Sequence, residues 1–292
     1  MPDARFERQI RFLGKEGQRK LAACHVAVVG IGGLGTHAVQ QLALLGVGHL
    51  TLIDSESLAE TDRNRYIGVL QEDPLGTPKV DIVERLVKGT NLDISVGKIR
   101  DSLVSEPAFA AVTKSDYVFG CLDSEGARFI LNELCAAYTR VYFDLASDIV
   151  PGNPPTYGGR VFVAGDGEGC IVCYGVLDMA EVQVDLGGPQ ELKNREGIYG
   201  VQPDALDHVG PSVVSINGVI ASLAVTEFMV MATGIRLPKR FLKYHGNMGR
   251  VSAPGDDERI NLDCYYCKRI RGMRDQADVQ RYVREGVGEF LR

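Results

Sequence analysis

The chain has 292 residues, 45% of them hydrophobic and 24% charged, with a formal net charge of -6. That balance is the one a soluble globular protein with a sizeable core has, and it argues against broad nucleic-acid binding, which needs a basic face. The charged start MPDARFERQIRF has no apolar signal-peptide core, and no run of 18 apolar residues is free of polar interruption. The reading is therefore a cytoplasmic chain that does not engage a membrane.

Residues 5–22 read as a charged helical lead-in with apolar points at Ile10, Leu13 and Leu21. From His25 to Asp54 the pattern is strand, glycine turn, helix, short turn, strand; Val26 to Val29 form the continuous apolar run of a strand buried on both faces. A charged loop follows from Ser55 to Pro78, then a helix from Lys79 to Lys88 and a strand near Asp93 to Gly97. Tyr117 to Asp123 reads as another buried strand ending in polar residues, 126–138 as helix and 140–145 as strand. This repeating β-α-β series predicts a Rossmann-like α/β fold, its sheet mostly parallel with helices on both faces. The second half is less regular. Residues 158–165 read as a strand with antiparallel partners, and 175–208 as a long crossover loop or lid. Residues 211–234 read as a long apolar helix interrupted at Asn217 and Gly218. A short β-rich tail then leads to Cys264, and a charged helix closes the chain over 273–291.

Gly30-Ile31-Gly32-Gly33-Leu34-Gly35 satisfies G-x-G-x-x-G between a strand and a helix. Glycines let the backbone turn tightly and approach phosphates, and the helix N-terminus adds N–H donors. Asp54 closes the second strand, where an acidic residue can hold ribose hydroxyls. The bland alternative is a tight turn with no ligand, and the motif does not choose between NAD and ATP. Seven cysteines include two pairs, Cys170/Cys173 and Cys264/Cys267, each with CxxC spacing. Four thiolates make a closed structural zinc site that would tie the end of the chain to its middle. Reduced thiols or redox pairs are the alternatives. Arg8, Asn64, Arg65, Lys79 and Asp123 fall near strand ends or in the loop after the second strand. Lys and Arg together can neutralise a triphosphate, and a carboxylate can hold Mg²⁺, whereas hydride transfer needs no such set.

Taken in order, Arg8-Gln9-Ile10, the loop from Gly30, Leu52-Ile53-Asp54, Asp62-Arg63-Asn64-Arg65, Pro78-Lys79-Val80, Cys121-Leu122-Asp123 with Arg128, and both CxxC pairs resemble the ThiF/MoeB/HesA family, relatives of the ubiquitin-activating enzymes. They span residues 8 to 267. The family commonly has Asn-Leu-x-Arg-Gln where this chain has Asp62 to Tyr66, so the arginine is kept and the flanking amides are not. The resemblance implies a single domain over 1–292. Within it, 1–24 is the lead-in, 25–150 the nucleotide-binding half, and 151–292 a half for carrier protein and dimer contacts with the zinc site. It implies that Asp54 holds the ATP ribose, that Asn64, Arg65 and Lys79 contact phosphates, and that Asp123 sits by Mg²⁺ and the α-phosphate. Arg8 would reach across a homodimer to the partner's ATP. The implied chemistry is adenylylation of a carboxylate, typically the C-terminal glycine of a ubiquitin-like or sulfur-carrier protein ending in Gly-Gly, with release of pyrophosphate. Members that go on to a thioester place a cysteine in the crossover loop. Residues 175–210 contain none here, which points to adenylylation without a thioester. Other readings are the same chemistry on a peptide or modified-tRNA carboxylate, a non-catalytic partner-binding subunit, and NAD-dependent oxidoreduction.

Overall fold

The computed structural model describes residues 4–187, 210–254 and 263–283. Its elements in chain order are α1 (Glu7–Ala23), β1 (His25–Val29), α2 (Gly33–Leu45), β2 (His49–Ile53), α3 (Lys79–Thr90), β3 (Ser95–Ile99), α4 (Glu106–Lys114), β4 (Tyr117–Gly120), α5 (Glu125–Ala137), β5 (Val141–Val150), β6 (Thr156–Ala164), α6 (Met179–Gly187), α7 (Val214–Thr233), β7 (Phe241–His245) and β8 (Arg250–Ser252). One sheet runs β3-β2-β1-β4-β5-β6-β7-β8. β3 to β5 pair in parallel, and β6, β7 and β8 join antiparallel. The expected Rossmann-like sheet with an antiparallel C-terminal extension is thus present.

Alternation along the strands sorts the core into two layers. Val26, Val28, Leu50, Leu52, Phe119 and Phe143 face α1, α2, α3 and α7, while Val29, Ile53, Val118 and Tyr142 face α4, α5 and α6. On the first face Phe228 of α7 meets Tyr117 and Phe119 edge-on. Such pairs add to the burial of large rings. Among the described residues α7 is the one helix long and apolar enough to cross a membrane; here it packs on α1, α2, β5 and β6.

Several expectations need correction. α7 is continuous through Asn217 and Gly218, because a β-carbon at Gly218 would already touch the His37 ring of α2 at 3.3 Å and the glycine lets the two helices close up. β4 ends at Gly120, so Cys121, Leu122 and Asp123 belong to the loop beyond it. α4 is an added element, with Ser105 capping its N-terminus and a proline in its first turn. The closing helix is not continuous over its described part. Two short 3-10 turns, Arg274–Ala277 and Val279–Tyr282, meet at Asp278, whose left-handed φ of 54° breaks helical propagation. The rest of that expected helix, most of the crossover segment and 255–262 lie outside the described residues.

At the N-terminal edge of the sheet, His25 and His49 are register partners on β1 and β2, and their rings stack 3.8 Å apart. Burial first, then the neighbouring His49, hold His25 below its ordinary value against the opposite pull of Asp116. Its Nε2 lies 2.8 Å from Thr51 Oγ1 and 3.4 Å from Ser115 Oγ. A base whose pKa is depressed by folding stabilises the fold above its unfolded value of about 6.5, and this contribution is lost as pH falls through that value towards the folded one. The wild-type melting temperature should therefore fall more steeply from about pH 7.5 to about pH 5 than that of His25→Gln. Parallel calorimetric profiles would show that the pair does not titrate with folding.

Candidate functional site

The site forms where the strand order reverses. The turn after β1 and the loop after β4 lie side by side at the C-terminal edge of the sheet, the usual place for a ligand in a doubly wound fold. Gly30 turns left-handed at φ 86°, and a β-carbon on it would stand 2.5 Å from the Cys121 carbonyl oxygen. At Gly35 a β-carbon would fall 2.1 Å from Gly30 O, and at Gly33 it would fall 2.8 Å from Asn217 Nδ2. These three glycines permit close packing. Gly32, the N-cap of α2, faces open space. That is the side from which a phosphate can approach the free N–H groups of the helix N-terminus.

Asp54, just past β2, braces this turn. Its Oδ2 accepts from Ile31 N–H at 2.6 Å and its Oδ1 from Glu56 N–H at 2.7 Å. Burial pushes its carboxyl up to about 6, against these two bonds and Lys79. Each oxygen keeps a second lone pair, so a ribose hydroxyl can still be accepted.

The loop between β2 and α3 supplies the cations. Lys79 opens α3 behind Pro78 and is 4% exposed. Its ammonium pairs closely with Glu56 and lies 3.6 Å from Asp62 Oδ2. Burial alone would lower its pKa, but the hydrogen bond with Glu56, aided by Asp54 and Asp62, raises it. Arg65 donates to Asp62 Oδ1 at 3.0 Å, and its backbone carbonyl lies against Gly33. Tyr66 Oη donates to Lys79 O at 2.9 Å and pins the loop to the helix. Asn64 is exposed beside them. Glu56 escaped the sequence reading, although it stands two residues beyond Asp54.

Asp123 is exposed in the β4–α5 loop, two residues after the Cys121 carbonyl that packs on Gly30. Arg128, buried on α5, fixes this loop by donating to Leu122 O, Asp144 and Leu145 O. Asp185 of α6 accepts from Ser124 Oγ at 3.0 Å and Gly126 N–H at 2.8 Å, so the first helix of the crossover segment caps α5. The loop thus carries a Mg²⁺-capable carboxylate in a fixed frame. Arg8 is elsewhere. It is exposed on α1, whose neighbouring Gln9 donates to Leu45 O at the far end of α2. The length of α2, about 20 Å, separates that end from Gly32. Within one chain, then, the structure brings together the glycine loop, Asp54, Arg65, Lys79 and Asp123, and leaves Arg8 out.

The two CxxC pairs converge as expected. All four sulfurs lie within 4.8 Å of one another, with Cys170–Cys264 and Cys173–Cys267 both at 3.8 Å. Four sulfurs at about 2.3 Å from a tetrahedral zinc stand about 3.8 Å apart, so the spacing fits that ion, and it is too long for disulfides. Cys170 N–H donates to Cys173 Sγ at 3.2 Å, which draws the first pair together. The cluster could therefore hold a metal ion with no open position. The remaining thiols are poor nucleophiles: burial raises Cys24 to about 11 and Cys121 to about 12, and Cys135 higher still.

A model of the ThiF family matches residues 6–264. The chain is 36% identical over 123 residues to the SAMP-activating enzyme E1 of Haloferax volcanii, covering 42% of this chain and 45% of that one, so under half of that relative's length is spanned. It is 28% identical to the sulfur carrier protein ThiS adenylyltransferase of Escherichia coli over 80% of this chain and 83% of that one. Among solved structures, Escherichia coli MccB with MccA shares the fold at a TM-score of 0.71 and 18% identity, covering 91% of this chain and 75% of that one.

Metal analysis of the purified chain should give one zinc per molecule. Cys264→Ser should lose it and melt at least about 5 °C lower. A metal-free wild type of unchanged stability would remove the zinc assignment.

Proposed function

The chain belongs to the ThiF family, and from that premise we propose that it is an adenylyltransferase that uses ATP to activate a carboxylate. The observation that carries this reading is that Arg65 lies against Gly33, that Lys79 shares Asp62 with it, and that the loop bearing Asp123 packs on Gly30. A triphosphate seated at Gly32 would meet two cations and the N–H groups of α2. The attacking carboxylate is already ionised and needs no base, so catalysis reduces to positioning and charge neutralisation. Its oxygen bonds the α-phosphorus, the bond to the β-phosphate oxygen breaks, and pyrophosphate leaves with that electron pair. Asp123 would hold Mg²⁺, which when bound supplies further neutralisation of the phosphates. Asp54 would orient the ribose, and Asn64 would add a phosphate contact.

We take the substrate to be the C-terminal glycine of a ubiquitin-like or sulfur-carrier protein. The names of the archaeal and bacterial relatives support this class. Residues 25–150 serve the nucleotide, and 151–292 the carrier, the dimer contact and a structural zinc. The distance of Arg8 from its own glycine loop agrees with a homodimer in which it serves the partner's ATP. No thioester follows adenylylation: the crossover segment has no cysteine, and Cys24, Cys121 and Cys135 stay protonated at neutral pH. The cytoplasm suits such an enzyme.

Pyrophosphate–ATP exchange tests the reading. Exchange should require Mg²⁺ and a protein ending in Gly-Gly, and Asp123→Ala should reduce it at least about a hundredfold without moving the melting temperature. Exchange that needs a peptide or a tRNA instead would reassign the substrate. Bound ATP without exchange for any partner would make the chain a non-catalytic subunit, and undiminished exchange in Asp123→Ala would remove the Mg²⁺ role.

A further inference from the structure

α7 is apolar over most of its length, yet at Asn217 it buries a carboxamide only 1% exposed. The Nδ2 of that group donates to Ser212 Oγ at 3.0 Å, and its Oδ1 has no partner. A buried acceptor without a donor is costly to keep, and an apolar side chain would avoid the cost. The position of the group suggests why it is there. Gly33 of the glycine loop is flanked by Asn217 and Arg65: a β-carbon at Gly33 would stand 2.8 Å from Asn217 Nδ2, 3.2 Å from Arg65 O and 3.3 Å from Arg65 Cγ. Arg65 has the complementary deficit. A terminal nitrogen of its guanidinium bonds Asp62, while its Nε–H is buried with no acceptor. The two residues that carry an unpaired buried acceptor and an unpaired buried donor thus both lie against Gly33, Asn217 through its Nδ2 and Arg65 through its Cγ and backbone carbonyl.

We propose that Asn217 is a positioning residue for the guanidinium of Arg65. When the terminal nitrogens of Arg65 leave Asp62 for a nucleotide phosphate, Asn217 Oδ1 accepts the Nε–H and fixes the plane of the group. The guanidinium is flat, so holding Nε sets the direction of the fork that meets the phosphate oxygens. Ser212 holds the amide nitrogen and leaves the oxygen as the free end. Because Ser212 lies just ahead of α7, the same chain of contacts ties the entry of that helix to the glycine loop. The proposal rests on the reading of the site as an ATP site and adds a group that acts through Arg65 on the phosphates alone.

Titration calorimetry with ATP and with adenosine separates the possibilities, using the wild type, Asn217→Leu, Arg65→Lys and the double variant. Asn217→Leu should bind ATP about tenfold more weakly and adenosine as the wild type does. Lysine has no Nε, so in the Arg65→Lys background the same substitution should cost nothing further. Should the leucine variant fail to fold, Asn217→Ala carries the same comparison. Unchanged ATP affinity, equal losses for ATP and adenosine, or additive losses in the double variant would overturn the proposal and leave Asn217 a structural group. A wild type that binds no ATP would instead overturn the ATP reading on which it rests.

Discussion

At Gly30 the chain leaves β1 in a left-handed turn and lies so close to the loop after β4 that a β-carbon would stand 2.5 Å from the Cys121 carbonyl oxygen. Only glycine meets both conditions, since L side chains rarely adopt that φ and the space is already filled by backbone. The other parts of the site depend on this approach. It sets the start of α2, where a β-carbon at Gly32 would meet open space. It also fixes the distance between the phosphate loop and Asp123, which follows two residues after Cys121. Gly35 repeats the device from the helix side against Gly30 O. The result is a glycine loop and a carboxylate-bearing loop packed side by side along one edge.

The electrostatics of that edge are poised for a polyanion. Lys79 pairs with the protein's own Glu56 and Asp62, and Arg65 pairs with Asp62. The two partners are not equivalent. Asp62 is buried and also accepts from Ala59 N–H, so the backbone holds it in place. The Glu56 side chain is 52% exposed and can turn into solvent at little cost. On the proposed reading, a phosphate at Lys79 would exchange one anion for another and keep the buried ammonium paired. Asp54 sits at the same junction with its carboxyl pushed up to about 6 and its charge spent on the backbone of the glycine loop. Its proximity adds to the field that holds Lys79 charged.

How much of this the sequence discloses depends on the range of the interactions. The glycine loop, the apolar runs of β1 and β4 and the two CxxC pairs are legible because each depends on residues a few positions apart. The parallel sheet follows from their alternation. α4 was legible in principle from Ser105 and the proline two residues on, but its short amphipathic stretch is a weak signal. Asn217 and Gly218 read as an interruption because propensity alone disfavours both. In the fold, Gly218 makes room for His37 and Asn217 sits against Gly33, contacts between segments almost two hundred residues apart. The closing segment has helical composition, and only the left-handed backbone at Asp278 shows why it breaks. The pairing of Glu56 with Lys79 and the separation of Arg8 from the loop of its own chain are likewise three-dimensional facts.

The cysteine cluster bears on the site through α5. That helix is tied to the C-terminal segment at several points. Phe129 meets Tyr266 edge-on, Glu133 is fully buried and accepts from Arg281 and Tyr282, and Tyr138 Oη donates to Asp275. The cluster brings that segment into reach by joining Cys264 and Cys267 to Cys170 and Cys173. Towards its other end, Arg128 holds the Leu122 carbonyl, and Asp185 caps the first turn. α5 is therefore fixed along its whole length, and Asp123 lies two residues before its start. Four sulfurs around a bound metal would leave no position for substrate. Contacts from the C-terminal segment to the loop of Asp123 run through α5, so a change at Cys264 would reach Asp123 by loosening that helix.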